Sequence, residues 1–181
     1  MAAAYMTGIL PIKKYGTESA LTDFREFTMT LPGRLARYVG FTEGEVRELC
    51  LNYDLDFENT RKWYDGYSFN QESHVYSPNS VMRAVENREI GNYWTRSETY
   101  ESLLQYIDMN YDGLKDAIIS MLGGRHIRIE TLSFQNDMMS FKSKDDVLTL
   151  LIHLGYLAYD SARAEVYIPN LEVAESFKIA V

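Results

Sequence analysis

The stretch "SKDDVLTLLIHLGYLAYDSARAEVYIPN", residues 143–170, constrains the fold more than any other part of the chain. Ser143 and Asp146 have the spacing of a capping box, and an apolar helix runs from them to His153 and Leu154. Its face is supplied by Leu148, Leu151, Ile152 and Leu154. Gly155 closes it, because the left-handed exit from a helix is open to glycine and resisted by a side chain. Residues 156–159 and 165–168 are strand-like runs around a polar turn at 160–164. Val166 and Ile168 share one face of the second run. Pro169 has no N–H to give a ladder, so the strand ends there, and Pro169 with Asn170 opens a final helix. A helix followed by an antiparallel hairpin is the layout of a winged-helix end.

The rest of the chain reads as mostly helical. "FTEGEVRELCLNYD" starts with a capping box, Thr42 to Glu45, ahead of Val46, Leu49 and Cys50. "FENTRKWYDGYSF" reads as a short helix stopped at Gly66, and "SPNSVMRAVENREIG" as another with Pro78 near its start. "SETYESLLQYIDMN" and "DGLKDAIISMLGG" are two more, the second capped by Gly123 and Gly124. "RHIRIETL" alternates as a short strand does. At the other end, "YMTGILPI" looks like the end of a buried central strand with almost nothing before it.

Charge and cysteine content limit the partners. The net charge is -8, which repels phosphate and argues against nucleic acid or anionic membrane for the chain as a whole, while a local basic patch stays open. Cys50 is the single cysteine, which rules out an internal disulfide and fits a reducing cytoplasm. No basic n-region precedes the first apolar stretch, so no signal peptide is expected, and no apolar run reaches the ~20 residues of a membrane span.

Several chemistries are excluded by motif. A P-loop needs a Gly-Lys pair, and the chain has none. Asp145 and Asp146 follow Lys-Ser-Lys rather than an apolar strand, so they are no Walker B. A PD-(D/E)XK nuclease needs an acid two residues before a lysine, and none of the seven lysines has one. Asp108, Asn110, Asp112 and Gly113 match the first half of an EF-hand loop, but its last ligand position is Ile119. A turn and helix cap is the reading taken there. His74, His126 and His153 share no metal-ligand spacing, and His153 reads as a packed or helix-end histidine. Asp54, Asp56 and Glu58 read as a solvated turn. Trp63, Tyr64, Tyr67 and Phe69 read as a core corner beside Gly66, with base stacking as the alternative.

In order along the chain stand "YMTGILPIKKYGTESALTDF", "GFTEGEV", "WYDGYSF", "VYSPNSV", Tyr93-Trp94 and "LLIHLGYLAYD…VYIPNLEV". Together they resemble the back half of the predicted AAA-ATPase-like family of bacterial proteins, over essentially the whole chain. Members usually carry a P-loop ATPase core in front and a PD-(D/E)XK nuclease-like domain behind. The resemblance implies that "YMTGILPI" is a late strand of the ATPase sheet and that Thr7 is a sensor-like polar residue at its end. It implies ATP and Mg as cofactors of full-length relatives and none for this chain. The family often has Asn-Asn where this chain has Thr22-Asp23, a departure that bears on any polar role of that loop.

The expectation is therefore a mainly α chain in three parts. Residues 1–30 are a leftover strand and loop of an ATPase-like core, 31–135 a helical lid, and 136–181 a winged-helix-like end. It has no catalytic centre and connects a nucleotide-binding core to a nuclease-like domain. Apolar residues in 5–12 would favour self-association. The residues marked as structural are Trp63, Tyr64, Gly66, Tyr67, Phe69, Pro78, Trp94, Gly155, Pro169 and Asn170. Two alternatives stand beside this. One is a nucleic-acid-binding winged helix with Arg125, Arg128, Lys142, Lys144 and Arg163 on one basic edge. The other is a protein-interaction module anchored by tyrosine and tryptophan.

Overall fold

The computed structural model describes residues 7–8, 10, 25–69, 72–94, 107–108, 110–134 and 141–181. A 3-10 segment, Gly33–Tyr38, leads into β1 (Phe41–Thr42) and α1 (Glu43–Tyr53). The capping box forms: the Glu45 carboxylate accepts the Thr42 N–H at 2.8 Å, and Thr42 accepts the Glu45 N–H in return. Asp56 caps α2 (Phe57–Tyr64), accepting the Asn59 N–H at 2.6 Å. β2 (Tyr67–Phe69) and β3 (Glu72–Tyr76) come next, and then α3 (Pro78–Asn87), with Pro78 in its first turn where a missing N–H is harmless. The first sheet has the order β1-β3-β2, all antiparallel. Its apolar side meets α1, α2 and α3 around Val46, Cys50, Tyr64, Tyr76, Val81 and Ala84.

The second half repeats the theme with different elements. A 3-10 turn at Tyr111–Gly113 precedes α4 (Leu114–Leu122), which ends on Gly124 at φ +80°. β4 (Ile127–Arg128), α5 (Lys144–His153), β5 (Ala158–Asp160), β6 (Glu165–Tyr167) and α6 (Leu171–Ala180) complete it. The second sheet has the order β4-β6-β5 and is antiparallel throughout. The main core lies between α4, α5, α6 and this sheet. In α5, every residue from Asp146 to His153 is buried, so the helix is enclosed rather than one-faced. A smaller cluster of Ala36, Tyr67, Phe69, Val75 and Ala158 joins the two sheets, with β2 packed on β5.

The architecture is mixed: helices with two small antiparallel three-stranded sheets, not a mainly α bundle with one leftover strand. The first sheet escapes a sequence reading because its strands span two to five residues, too short to show alternation. The helix-glycine-hairpin order of 143–170 is present, with two adjustments. Tyr156 and Leu157 turn their N–H groups to the Leu151 carbonyl, so the first strand starts only at Ala158. Ser143 stands at the N-cap without a side-chain bond, so the capping box expected there does not form. Asp146 instead accepts the Lys142 N–H at 2.9 Å and the Ser133 hydroxyl at 3.0 Å, tying the preceding loop to the helix start.

The N-terminal strand and residues 5–12 lie largely outside the described residues. Thr7, Gly8 and Leu10 are in neither helix nor strand. The helix expected in "SETYESLLQYIDMN" and the pair Thr22-Asp23 also lie mostly or wholly outside them. Among the described residues, no helix is long and apolar enough to cross a membrane.

Candidate functional site

The motifs singled out in the sequence converge on one junction, where the two sheets and α6 meet. Gly66 presses against the backbone of Pro169: a Cβ at Gly66 would lie 1.9 Å from the Pro169 oxygen. Gly66 has φ +120°, which side chains resist, so glycine is required there on two counts. Tyr67 donates its hydroxyl to the Gly155 carbonyl at 2.6 Å, and Tyr167 donates to the Gly66 carbonyl at 3.2 Å. Burial pushes the hydroxyls of Tyr64, Tyr67 and Tyr167 above the ordinary tyrosine range, so all three act as neutral donors. Tyr64 is closed off in the same way, exchanging hydrogen bonds with the Gly91 carbonyl and N–H at 2.9 and 3.0 Å.

Trp94 sits edge-on to Tyr156 at 5.2 Å between centroids, over Gly155. Gly155 has φ +81° with the Trp94 ring 3.2 Å from where a Cβ would stand. Gly155→Val therefore adds left-handed strain and displaces the indole, and should cost about 2 kcal/mol. Urea denaturation checks this, and an unchanged midpoint would refute the packing described.

At the centre is Glu172, in the first turn of α6, with 0 % of its surface exposed. One carboxylate oxygen accepts the N–H of Tyr93 at 2.8 Å and of Trp94 at 3.1 Å. The other accepts the Ser80 hydroxyl at 2.7 Å, and Ser80 is 3.1 Å from the Ser77 hydroxyl. Asn92 donates its amide to the Glu172 carbonyl and to the Ser176 hydroxyl, both at 3.2 Å. Burial raises the Glu172 pKa above the ordinary carboxylate value, and the Ser80, Tyr93 and Trp94 bonds pull it back. Glu172 thus ties α3, the 91–94 loop and α6 together.

A second polar pair lies nearby. Asp65, at the end of α2, accepts the Gly66 N–H at 2.6 Å and sits 2.7 Å from Nδ1 of His74. Arg61 approaches the same carboxylate at 3.6 Å. His74 has φ +60° within β3, a conformation held by this contact and by the irregular register of β2 against β3.

Trp63, Tyr64, Tyr67, Phe69, Gly66, Trp94, Gly155, Pro169 and Asn170 fall in or beside these packed clusters, while Pro78 is exposed in the first turn of α3. Tyr64, Tyr67 and Phe69 are buried, which supports the core-corner reading for them, while Trp63 is half-buried against the same cluster. Asn170 caps α6, accepting the Val173 N–H at 3.1 Å. Thr7 is exposed. Of the basic residues, Arg128 stands opposite Glu165 in the ladder and Arg163 pairs with Asp160 at 3.7 Å. The Lys144 N–H donates to Asp112, and the Glu130 N–H donates to Asp145, so carboxylates intervene among Arg125, Arg128, Lys142, Lys144 and Arg163. In the EF-hand-like stretch, the side chain of Asn110 accepts the Lys115 N–H in the first turn of α4 at 3.0 Å, while the N-cap residue itself is Gly113, with no side-chain cap bond. His153 is buried at the end of α5, and burial holds its pKa down at about 4, so the imidazole is neutral near pH 7.

Glu172, Ser80, Asn92 and Asp65 are not singled out by sequence reasoning. A signal for Glu172 exists. Residues 172, 173, 176, 177 and 180 form the buried side of α6, and Glu172 lies on that stripe with Val173 and Phe177.

The chain is 25 % identical over 142 residues to an uncharacterised protein in the vnfD 5′ region of Azotobacter chroococcum mcd 1. The match covers 73 % of this chain and 27 % of the relative, so the chain spans about a quarter of that relative's length. No family model matches the chain. No solved structure matches it either.

Proposed function

We propose that this chain is the lid-and-connector portion of a larger protein of the AAA-ATPase-like kind. In this reading it carries no catalytic centre. A nucleotide-binding core precedes it, with ATP and Mg held there, and a nuclease-like domain lies beyond it. The helices up to α4 form the lid, and α5 with the β5–β6 hairpin forms a winged-helix-like end. A lid can close over nucleotide and bias the position of the domain attached to its far end.

One observation carries the reading: the motifs that bear the resemblance build a junction rather than a reactive site. "WYDGYSF", "YSPNSV", Tyr93-Trp94, "LGYLAY" and "YIPNLE" meet through Gly66–Pro169, Tyr67–Gly155 and the Glu172 bonds. A connector needs such stiffness, because a soft joint dissipates the displacement it is meant to pass on. The small share of the relative's length that the chain spans agrees with a portion of a larger machine.

Calorimetric titration of this chain with Mg-ATP should be flat, since the sequence has no Gly-Lys phosphate cradle. Micromolar binding would overturn the proposal. Reading the codons upstream of Met1 is the complementary test: an in-frame P-loop supports the lid assignment, and a stop codon with no such region opposes it.

A further inference from the structure

The basic edge expected in the second half is broken by carboxylates, but a different cationic surface is assembled near the start. The guanidiniums of Arg25 and Arg34 lie 5.2 and 5.8 Å from the centroid of the same ring, Phe27. Arg37 lies 5.5 Å over the Tyr38 ring. Arg34 and Arg37 are three apart in the 3-10 segment Gly33–Tyr38, and three residues per turn put them on one edge. Gly33 permits the approach: it has φ +50°, and a Cβ there would stand 3.2 Å from the Phe27 ring. All three arginines are exposed, and Tyr38 is 74 % exposed. Among the described residues, no ion pair holds any of the three.

Among the described residues acidic groups are sparse here, although the chain carries a net charge of -8; Asp23, two residues before Arg25, lies outside them. Glu26 is the one acid in residues 25–38, and it lies within electrostatic reach of His153. Glu45 is within reach of Arg37, and its carboxylate also accepts the N–H and hydroxyl of Thr42, each at 2.8 Å. Like charges gathered on one surface, three arginines against Glu26 and Glu45 among the described residues, create a local positive potential that attracts a polyanion. Arginines alternating with aromatic rings, one ring open to solvent, offer both phosphate contacts and a stacking face.

We propose that Arg25, Phe27, Arg34, Arg37 and Tyr38 form a docking surface for single-stranded nucleic acid, with the arginines on phosphates and Tyr38 stacked on a base. The surface reads no sequence: it has guanidiniums and ring faces but no arrangement for a particular base edge.

The test is fluorescence anisotropy with a labelled oligothymidylate of roughly 12 nucleotides at about 50 mM salt. Binding should weaken with salt with a log–log slope of about -2, the value for three phosphate contacts on a single strand. Arg25→Gln with Arg34→Gln and Arg37→Gln should abolish binding. Each single Arg→Gln change should reduce the slope by about 0.7, which keeps the test decisive if the triple variant folds poorly. Tyr38→Ala should weaken binding about 5- to 150-fold while leaving the slope unchanged. Arg125→Gln with Arg128→Gln should leave binding intact. No binding at low salt, or loss of binding only on the Arg125 and Arg128 changes, would overturn the proposal. Equal binding of polyglutamate, with Tyr38→Ala silent, would overturn it too and assign the surface to an acidic protein.

Discussion

Replacing Glu172 by alanine should lower the melting temperature by about 10 °C, whereas Glu172→Gln should leave it nearly unchanged. The alanine variant removes the acceptor of the Tyr93 N–H in a site with no exposed surface, while the Trp94 N–H keeps the Asn92 side-chain oxygen at 3.1 Å and the Ser80 hydroxyl keeps Ser77. A buried donor left without a partner costs about 1–3 kcal/mol, and the cavity left by the missing side chain adds to it, so a loss of about 3 kcal/mol is expected. Glutamine keeps the shape. Its carbonyl oxygen can accept from Tyr93 and Trp94, and its amide can donate to Ser80, which can then donate to Ser77. The charge difference appears in the pH dependence. Burial raises the folded-state pKa of Glu172 above the ordinary value, so the folded form holds the proton more tightly than the unfolded form. The stability this group contributes is fully present below the unfolded value and is lost as pH rises through the folded one. Urea denaturation across acid to neutral pH should show that loss as a wild-type slope missing from Glu172→Gln. Equal damage from alanine and glutamine, or identical pH profiles for wild type and Gln, would contradict the account of the junction.

Gly66→Ala is expected to be as severe, at about 3 kcal/mol or more, for a different reason. The new Cβ cannot coexist with the Pro169 oxygen, and the Pro169 carbonyl carbon would stand only 2.6 Å away. Both partners are backbone, so no rotamer change relieves the clash. The segments must separate, which also lengthens the Tyr167 bond to the Gly66 carbonyl. Gly44→Ala in α1 is the control: a Cβ there meets nothing within 4 Å, and the change should stabilise by about 0.5 kcal/mol. If Gly66→Ala melts like the wild type, the close approach of 66 to 169 is wrong.

The residues that sequence reasoning reads well are those whose signal is local. Thr42 and Glu45 cap α1 because both groups are within one turn of each other. Gly155 and Gly124 end their helices because the conformation needed is a property of the glycine itself. The residues it misreads depend on what stands opposite them. Ser143 and Asp146 have capping-box spacing, yet the carboxylate bonds Lys142 and Ser133 because the incoming loop presents those donors first. β1 is two residues long and is a strand only because Tyr76 and Val75 lie beside it.

By itself, the sequence determined the helices with strong caps, the helix-glycine-hairpin order of 143–170, the aromatic corner at 63–69 and the absence of a Gly-Lys phosphate cradle. These come from hydrogen bonds and backbone preferences that reach no further than a few residues. Tertiary structure alone decided that Gly66 meets Pro169, that Ser80, Tyr93 and Trp94 share one carboxylate on α6, and that Arg25 and Arg34 converge on Phe27. The physical reason is separation along the chain. Ser80 and Glu172 are 92 residues apart, and Tyr67 and Gly155 are 88 apart. No propensity or spacing rule carries that distance. The packing of β2 on β5 and of α2 on α6 brings those groups into hydrogen-bond contact and turns a scattered set of motifs into a single joint.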